Sequence, residues 1–275
     1  MAEQQQNQFV DIVFSCVEDK FYKDEIVLDH HSFTRVITGE MKIIQADSTF
    51  ILGPGSTFLY PRNQPATVIK YPKDGQRFQS VSMKLRHERL KKFYTRNTFD
   101  TSLPRTDKIR HFETHPLLES FFASVMPYFD MPHALPPKMA DVKLEEAITI
   151  LRCIDADIDG LLGNFEEPGK INLAEFMEKN YRFNLTLEKF SYLSGRSLTT
   201  FKRDFKKIFD TTPQRWLTHK RLQLAHYQLS EKQRRPVEVY FEAGFEDLSH
   251  FSFAFKKQFG YSPNSLLKRN HQATP

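Results

Sequence analysis

Two stretches of this 275-residue chain carry the same chemistry fifty residues apart. Phe201, Phe205, Lys206, Lys207, Phe209, Thr212 and Pro213 recur as Phe251, Phe255, Lys256, Lys257, Phe259, Ser262 and Pro263. Each copy follows a short apolar run and a glycine, Gly195 or Gly244. Aromatic residues at i, i+4 and i+8 lie on one helical face and need a small core beneath them. The lysine pair falls off that face, where a cation meets solvent or a polyanion. A helix seated this way after a glycine turn is the second helix of a helix–turn–helix unit, the one that enters a DNA major groove. A duplicated helical hairpin without any DNA role is the plainer alternative.

Other reactive residue types do not assemble in the sequence. Asp29, His30 and His31 are adjacent, but a glutamate and third histidine at metal-ligand spacing are missing, so no metal site is expected. Cys16 and Cys153 can form at most one bridge, and no CxxC occurs. Cys153, in an apolar helix, reads as a buried small hydrophobe. No nucleophile motif, phosphate loop or paired-carboxylate site stands out, so neither catalysis nor a cofactor is expected.

The charge distribution agrees with a polyanion partner. The chain holds 39 basic and 34 acidic residues, a net charge of +5. Residues 171–275 contain 18 Lys/Arg against 10 Asp/Glu, so this part is basic, while residues 1–170 are mildly acidic. Hydrophobic residues make up 40%, and mean hydropathy is −0.52. No apolar run reaches the length of a membrane span. The glutamine-rich start lacks a signal-peptide pattern. These features predict a cytoplasmic chain with no membrane partner.

The elements that must position the repeats differ from those before them. Short alternating or apolar runs predict strands at 9–17, 25–28, 32–37, 41–45, 49–52, 57–60, 66–70 and 78–85. Gly, Pro and Asn punctuation between them predicts a sandwich or barrel. Residues 87–110 are charged and ambiguous. A helix is predicted over 115–131 and another from 141 to 151, running on through Ile158 and Leu162. In the second, Leu144, Ile148 and Leu151 form an apolar stripe that predicts a dimerisation seam, or a cover for the chain's own barrel. The candidate linker is 165–172, with Pro168-Gly169. Beyond it seven helices are predicted, with Thr186 and Asp247 as caps and Pro213, Pro236 and Pro263 in first turns. The fourth, at about 1.5 Å per residue, is long enough to bring the two units near one DNA turn apart, roughly 34 Å, with bending of the DNA.

With these residues in view, the last hundred residues resemble the DNA-binding domain of AraC/XylS-type bacterial transcriptional regulators. The resemblance is carried by Ala243-Gly244-Phe245 through Tyr261-Ser262-Pro263, by Leu187 to Gly195, and by Arg221-Leu222 with Ala225. It implies an α+β chain. Residues 1–165 would form a cupin-like β-barrel with a helical segment, for sensing or dimerisation. Residues 171–275 would form an all-α double helix–turn–helix domain. Carried over residue by residue, it implies base-facing positions at Thr199, Lys202 and Arg203, and at Leu248, Ser249, Ser252 and Phe253. Lys206, Lys207, Lys256 and Lys257 then serve phosphates or plain surface. The pattern departs at Phe253, where the family often has arginine, and at Asp247, where it has a small polar residue.

The implied function is a sequence-specific transcriptional regulator, an activator, controlled through its N-terminal part by a small molecule or protein. Implied partners are duplex DNA, RNA polymerase and a second copy of the chain. Two alternatives stay open: a cupin-type metal enzyme fused to a helical domain, and a regulator controlled only by a protein partner.

Overall fold

The computed structural model describes residues 5–9, 11–18, 21–99, 102–130, 136–245 and 247–266. The chain divides into two compact units, 1–166 and 167–275.

The first unit is a sandwich of two antiparallel sheets. One has six strands in the order β1 (Gln5–Phe9), β2 (Ile12–Val17), β9 (Phe78–Leu85), β4 (His31–Thr38), β7 (Thr57–Tyr60) and β10 (Arg110–Phe112). The other has four, ordered β3 (Tyr22–Val27), β8 (Pro65–Tyr71), β5 (Glu40–Ile44) and β6 (Thr49–Leu52). Among the described residues, the strands form two open sheets and do not close into one barrel.

Strand alternation gives the six-stranded sheet two working faces. Ile12, Phe33, Leu59, Val81 and Met83 point to one side, where helices cover them. Val17, Val36, Phe58 and Phe78 point to the other and pack with Met41, Ile43 and Val68 of the four-stranded sheet. The covering helices are α1 (His87–Tyr94), α2 (Pro116–Val125) and α3 (Pro137–Ile154), followed by the short α4 (Asp159–Leu162). α1 arises in the charged stretch that gave no clear sequence signal. Leu90, Phe93 and Tyr94 bury one face, and the buried Asp11 carboxylate accepts from Arg86 and Arg89.

Three expectations are corrected here. Leu144 and Ile148 are each 2% exposed and Leu151 is 0% exposed, packed in the core of their own unit. The stripe serves the α3 cover and cannot also be a seam with a second copy. Cys153 is exposed, whereas Cys16 is buried. The helix that carries Cys153 ends at Ile154, so the predicted continuation through Leu162 is instead a break and the separate α4.

The second unit is all helical: α5 (Leu173–Asn180), α6 (Leu187–Leu193), α7 (Leu198–Phe209), α8 (Pro213–Ser230), α9 (Pro236–Glu242) and α10 (Leu248–Phe259). Four further helical residues begin at Pro263. Two separate cores sit along α8. Leu217 and Trp216 pack with Phe190, Phe201 and Phe205, while Leu222, Ala225 and Leu229 pack with Val239, Phe251 and Phe255.

Candidate DNA-binding surface

Each helix–turn–helix unit is built from local rules. Thr186 caps α6 by accepting from Lys189 N, and Ser197 caps α7 by accepting from Thr200 N. Asp247 caps α10 by accepting from His250 N, so the acid at this position has a structural use. Gly195 and Gly244 turn the chain with φ of +67° and +80°. A Cβ on Gly195 would stand 2.3 Å from the Gly169 backbone, and one on Gly244 2.8 Å from the Arg182 carbonyl oxygen. Only glycine satisfies both the left-handed φ and this contact.

Phe201 and Phe205 of α7, and Phe251 and Phe255 of α10, are fully buried. Burying that face turns the opposite one outward. On α7 it presents Thr199, Lys202 and Arg203, all exposed, with Lys206 and Lys207 exposed toward the C-terminal end. On α10 it presents Leu248, Ser249 and Phe253 exposed and Ser252 half-buried, with Lys256 and Lys257 exposed. Phe253 is 71% exposed. The sequence expectations therefore fall on two outward helical faces, one in each unit.

Arg203 is oriented before any ligand arrives. Its Nε and Nη2 donate to Asp204 Oδ1 at 3.4 and 3.3 Å. Asp204 is held in turn by Arg196, a side chain only 7% exposed, whose Nε donates to Oδ2 at 3.2 Å. Burial works against the charge on Asp204, but hydrogen bonds from Arg196 and Arg203 hold its carboxyl below the ordinary aspartate range.

A further arginine ties the two helix–turn–helix motifs together. Arg221, on α8, donates through Nε to Tyr181 O (2.8 Å) and through Nη2 to Phe183 O (2.7 Å). Its Nη1 donates to Gly244 O in the turn before α10, at 3.1 Å. One planar, always-charged side chain thus joins the loop before α6 to the turn of the second unit. Sequence reading noted Arg221 only as part of a motif. Its fork of backbone contacts has no sequence signal, because the acceptors are carbonyls. α8 has 18 residues, a length of about 27 Å.

In the first unit, His30 Nδ1 lies 2.6 Å from Asp29 Oδ1. The neighbouring His31 is buried, and its Nδ1 accepts from Arg62 N at 3.3 Å. Burial pushes its pKa down to about 3, so the imidazole is a neutral acceptor in the core. Among the described residues no three His, Cys, Asp or Glu side chains are grouped to hold a metal ion, and no helix is long and apolar enough to cross a membrane.

Comparison with known proteins covers both units. Residues 193–269 match the family model of a helix-turn-helix domain, and residues 31–152 match that of the ExsA N-terminal regulatory domain. The chain is 27% identical to the HTH-type transcriptional regulator ExsA of Pseudomonas aeruginosa over 236 residues, covering 83% of each chain. It is 35% identical over 103 residues to the virulence regulon transcriptional activator VirF of Yersinia enterocolitica, covering 38% of this chain and 37% of that one. It is 30% identical over 108 residues to the HTH-type transcriptional activator RhaS of Mannheimia succiniciproducens, covering 39% and 40%. A regulatory domain model thus covers much of the sandwich and a helix–turn–helix model much of the helical unit, and with these relatives they support an AraC/XylS-type DNA-binding transcriptional regulator.

Proposed function

We propose that this chain is a transcriptional activator that grips one side of duplex DNA with α7 and α10 and is controlled through residues 1–166. It acts by binding and not by catalysis, in the cytoplasm. The observation that carries this reading is the pair of outward faces on α7 and α10, each backed by its own aromatic core against α8, with Arg221 of α8 tying the loop before α6 to the turn before α10.

Roles follow from side-chain chemistry. Arg203 and Lys202 donate to guanine O6 and N7, and Thr199 assists at a base edge or phosphate. Ser249 and Ser252 make short-range hydrogen bonds, while Leu248 and Phe253 offer apolar contact to thymine methyl groups. Lys206, Lys207, Lys256 and Lys257 neutralise phosphates. RNA polymerase is the partner that converts DNA occupancy into activation, and any self-association uses a surface other than Leu144, Ile148 and Leu151.

The test is a titration of the full chain with duplex DNA at rising salt. Four phosphate-bound lysines give a slope of about −3.6 in log affinity against log salt, roughly a hundredfold loss between 50 and 200 mM. Affinity that ignores salt, or no binding, would remove this reading.

A further inference from the structure

A β-sandwich interior ordinarily takes apolar side chains at every second strand position. The six-stranded sheet obeys this at one end of its inner face, with Val17, Val36, Phe58 and Phe78. At the other end the same alternation delivers Ser15, Ser32, Thr34, Ser82 and Lys84. The opposing sheet is mostly apolar there, with Tyr22, Ile26, Met41, Ile43 and Val68 beside the charged Asp24 and Lys70. Between the two walls lies a cavity of about 280 Å³. A polar wall inside a sandwich is costly unless something hydrogen-bonds to it.

Lys70 of β8 supplies a cation from the apolar side. Its register partners are Tyr22 on β3 and Met41 on β5, both cavity-lining, so it shares their inward face. Nζ donates across the gap to Ser15 Oγ at 3.0 Å and stands 5.6 Å from the Tyr22 ring centre and 5.7 Å from that of Phe78. Among the described residues no carboxylate lies within ion-pair distance of Lys70. The acid that lines the cavity, Asp24, is solvent-exposed and accepts from Tyr22 OH and from Glu25 N. Burial brings the Lys70 ammonium down to about 8, against the opposing pull of Asp24, so at neutral pH most of it is still charged. Lys84 adds a second cation to the lining, and His30, lowered by burial, turns its Nδ1 to Asp29.

We propose that this inter-sheet cavity binds a compact organic acid. The carboxylate sits against Lys70 Nζ and the hydroxyl wall of Ser15, Thr34 and Ser82. The hydrocarbon part lies against Tyr22, Ile26 and Met41. A cavity at the small end of the ligand-pocket range, roughly 300–1,000 Å³, selects a small acid over an extended one. The hydroxyls bond one another, Thr34 to Ser82 at 2.9 Å and Ser32 to Thr34 at 3.1 Å, yet each oxygen keeps capacity for a further partner. That such an acid is the regulatory input rests on the regulator reading above; its binding does not.

Calorimetry on the full chain at pH 7 tests this with benzoate, hexanoate and decanoate, each beside its neutral amide. At least one acid is expected to bind one site per chain, tenfold or more tighter than its amide. Lys70→Gln and the isosteric Lys70→Met are expected to abolish that preference, with melting compared to the parent to show that the fold is kept. Equal weak binding of acids and amides, no binding by any acid, or an acid preference that survives in a folded Lys70 variant would overturn the proposal. DNA binding of the same preparation is measured separately. Its loss with acid binding intact counts against the regulator reading alone.

Discussion

Arg203 and Phe253 stand at one position of a fifty-residue repeat and differ in everything but place. Both lie on the outward face of the second helix in their unit, two residues after a fully buried phenylalanine. Arg203 brings a charged fork pre-set by Asp204 and Arg196. Phe253 brings a bare ring, 71% exposed. The buried halves of the two helices repeat closely, while the outward halves have separated: Thr199, Lys202 and Arg203 against Ser249, Ser252 and Phe253. A core tolerates little change because volume and burial fix it. A groove-facing surface is free to take up different readout chemistry. On the proposed reading, the first helix–turn–helix motif discriminates by hydrogen bonds, and the second serves apolar contact and placement on the DNA.

The largest expected effect breaks the link between the two helix–turn–helix motifs. Arg221→Ala leaves the carbonyls of Tyr181, Phe183 and Gly244 without their charged donor, at a cost of about 3 kcal/mol. Chemical denaturation of the full chain should show the second unit melting earlier. A change well under about 1 kcal/mol would mean that α8 packing alone holds the two units.

A smaller effect lies in how the two helices end. Asp210 terminates α7 at φ +51°, where α10 has Gly260 at φ +82°. A left-handed cap favours glycine, so Asp210→Gly should stabilise the first unit by about 0.5–1 kcal/mol. A thermal melt that falls instead would show that the Asp210 side chain contributes more than its backbone strain costs.

The smallest stability change is at the exposed ring. Phe253→Ala should move folding stability by no more than roughly 0.5 kcal/mol, yet alter preference at a T·A pair in a binding selection. Unchanged base preference would make α10 a positioning helix only.

Much of this architecture was readable from sequence, for identifiable reasons. Strands 49–52, 57–60 and 78–85 emerge with their predicted bounds because Gly and Pro turns bracket them. The caps at Thr186 and Asp247 and the first-turn prolines are local signals and appear where expected. The segment 9–17, read as one strand, is two, β1 and β2, because antiparallel pairing of Phe9 with Ile12 makes a hairpin. α1 was masked by its charges, although Leu90, Phe93 and Tyr94 carry helical spacing. The stripe Leu144, Ile148 and Leu151 shows why an apolar face announces burial without naming its cover. Ser15, Ser32, Thr34 and Ser82 look in sequence like the solvent side of ordinary strands. Only the second sheet, packed opposite, turns them into the wall of a cavity.

The unequal division between the two units is tested most directly by Arg203→Ala in the full chain, measured on its preferred duplex and on random duplex at one salt concentration. The expected loss is about 1–3 kcal/mol on the preferred site, with little change on random DNA. The loss should also exceed that from Phe253→Ala on the same pair of duplexes. Equal losses on both duplexes would place Arg203 on phosphate and contradict the account.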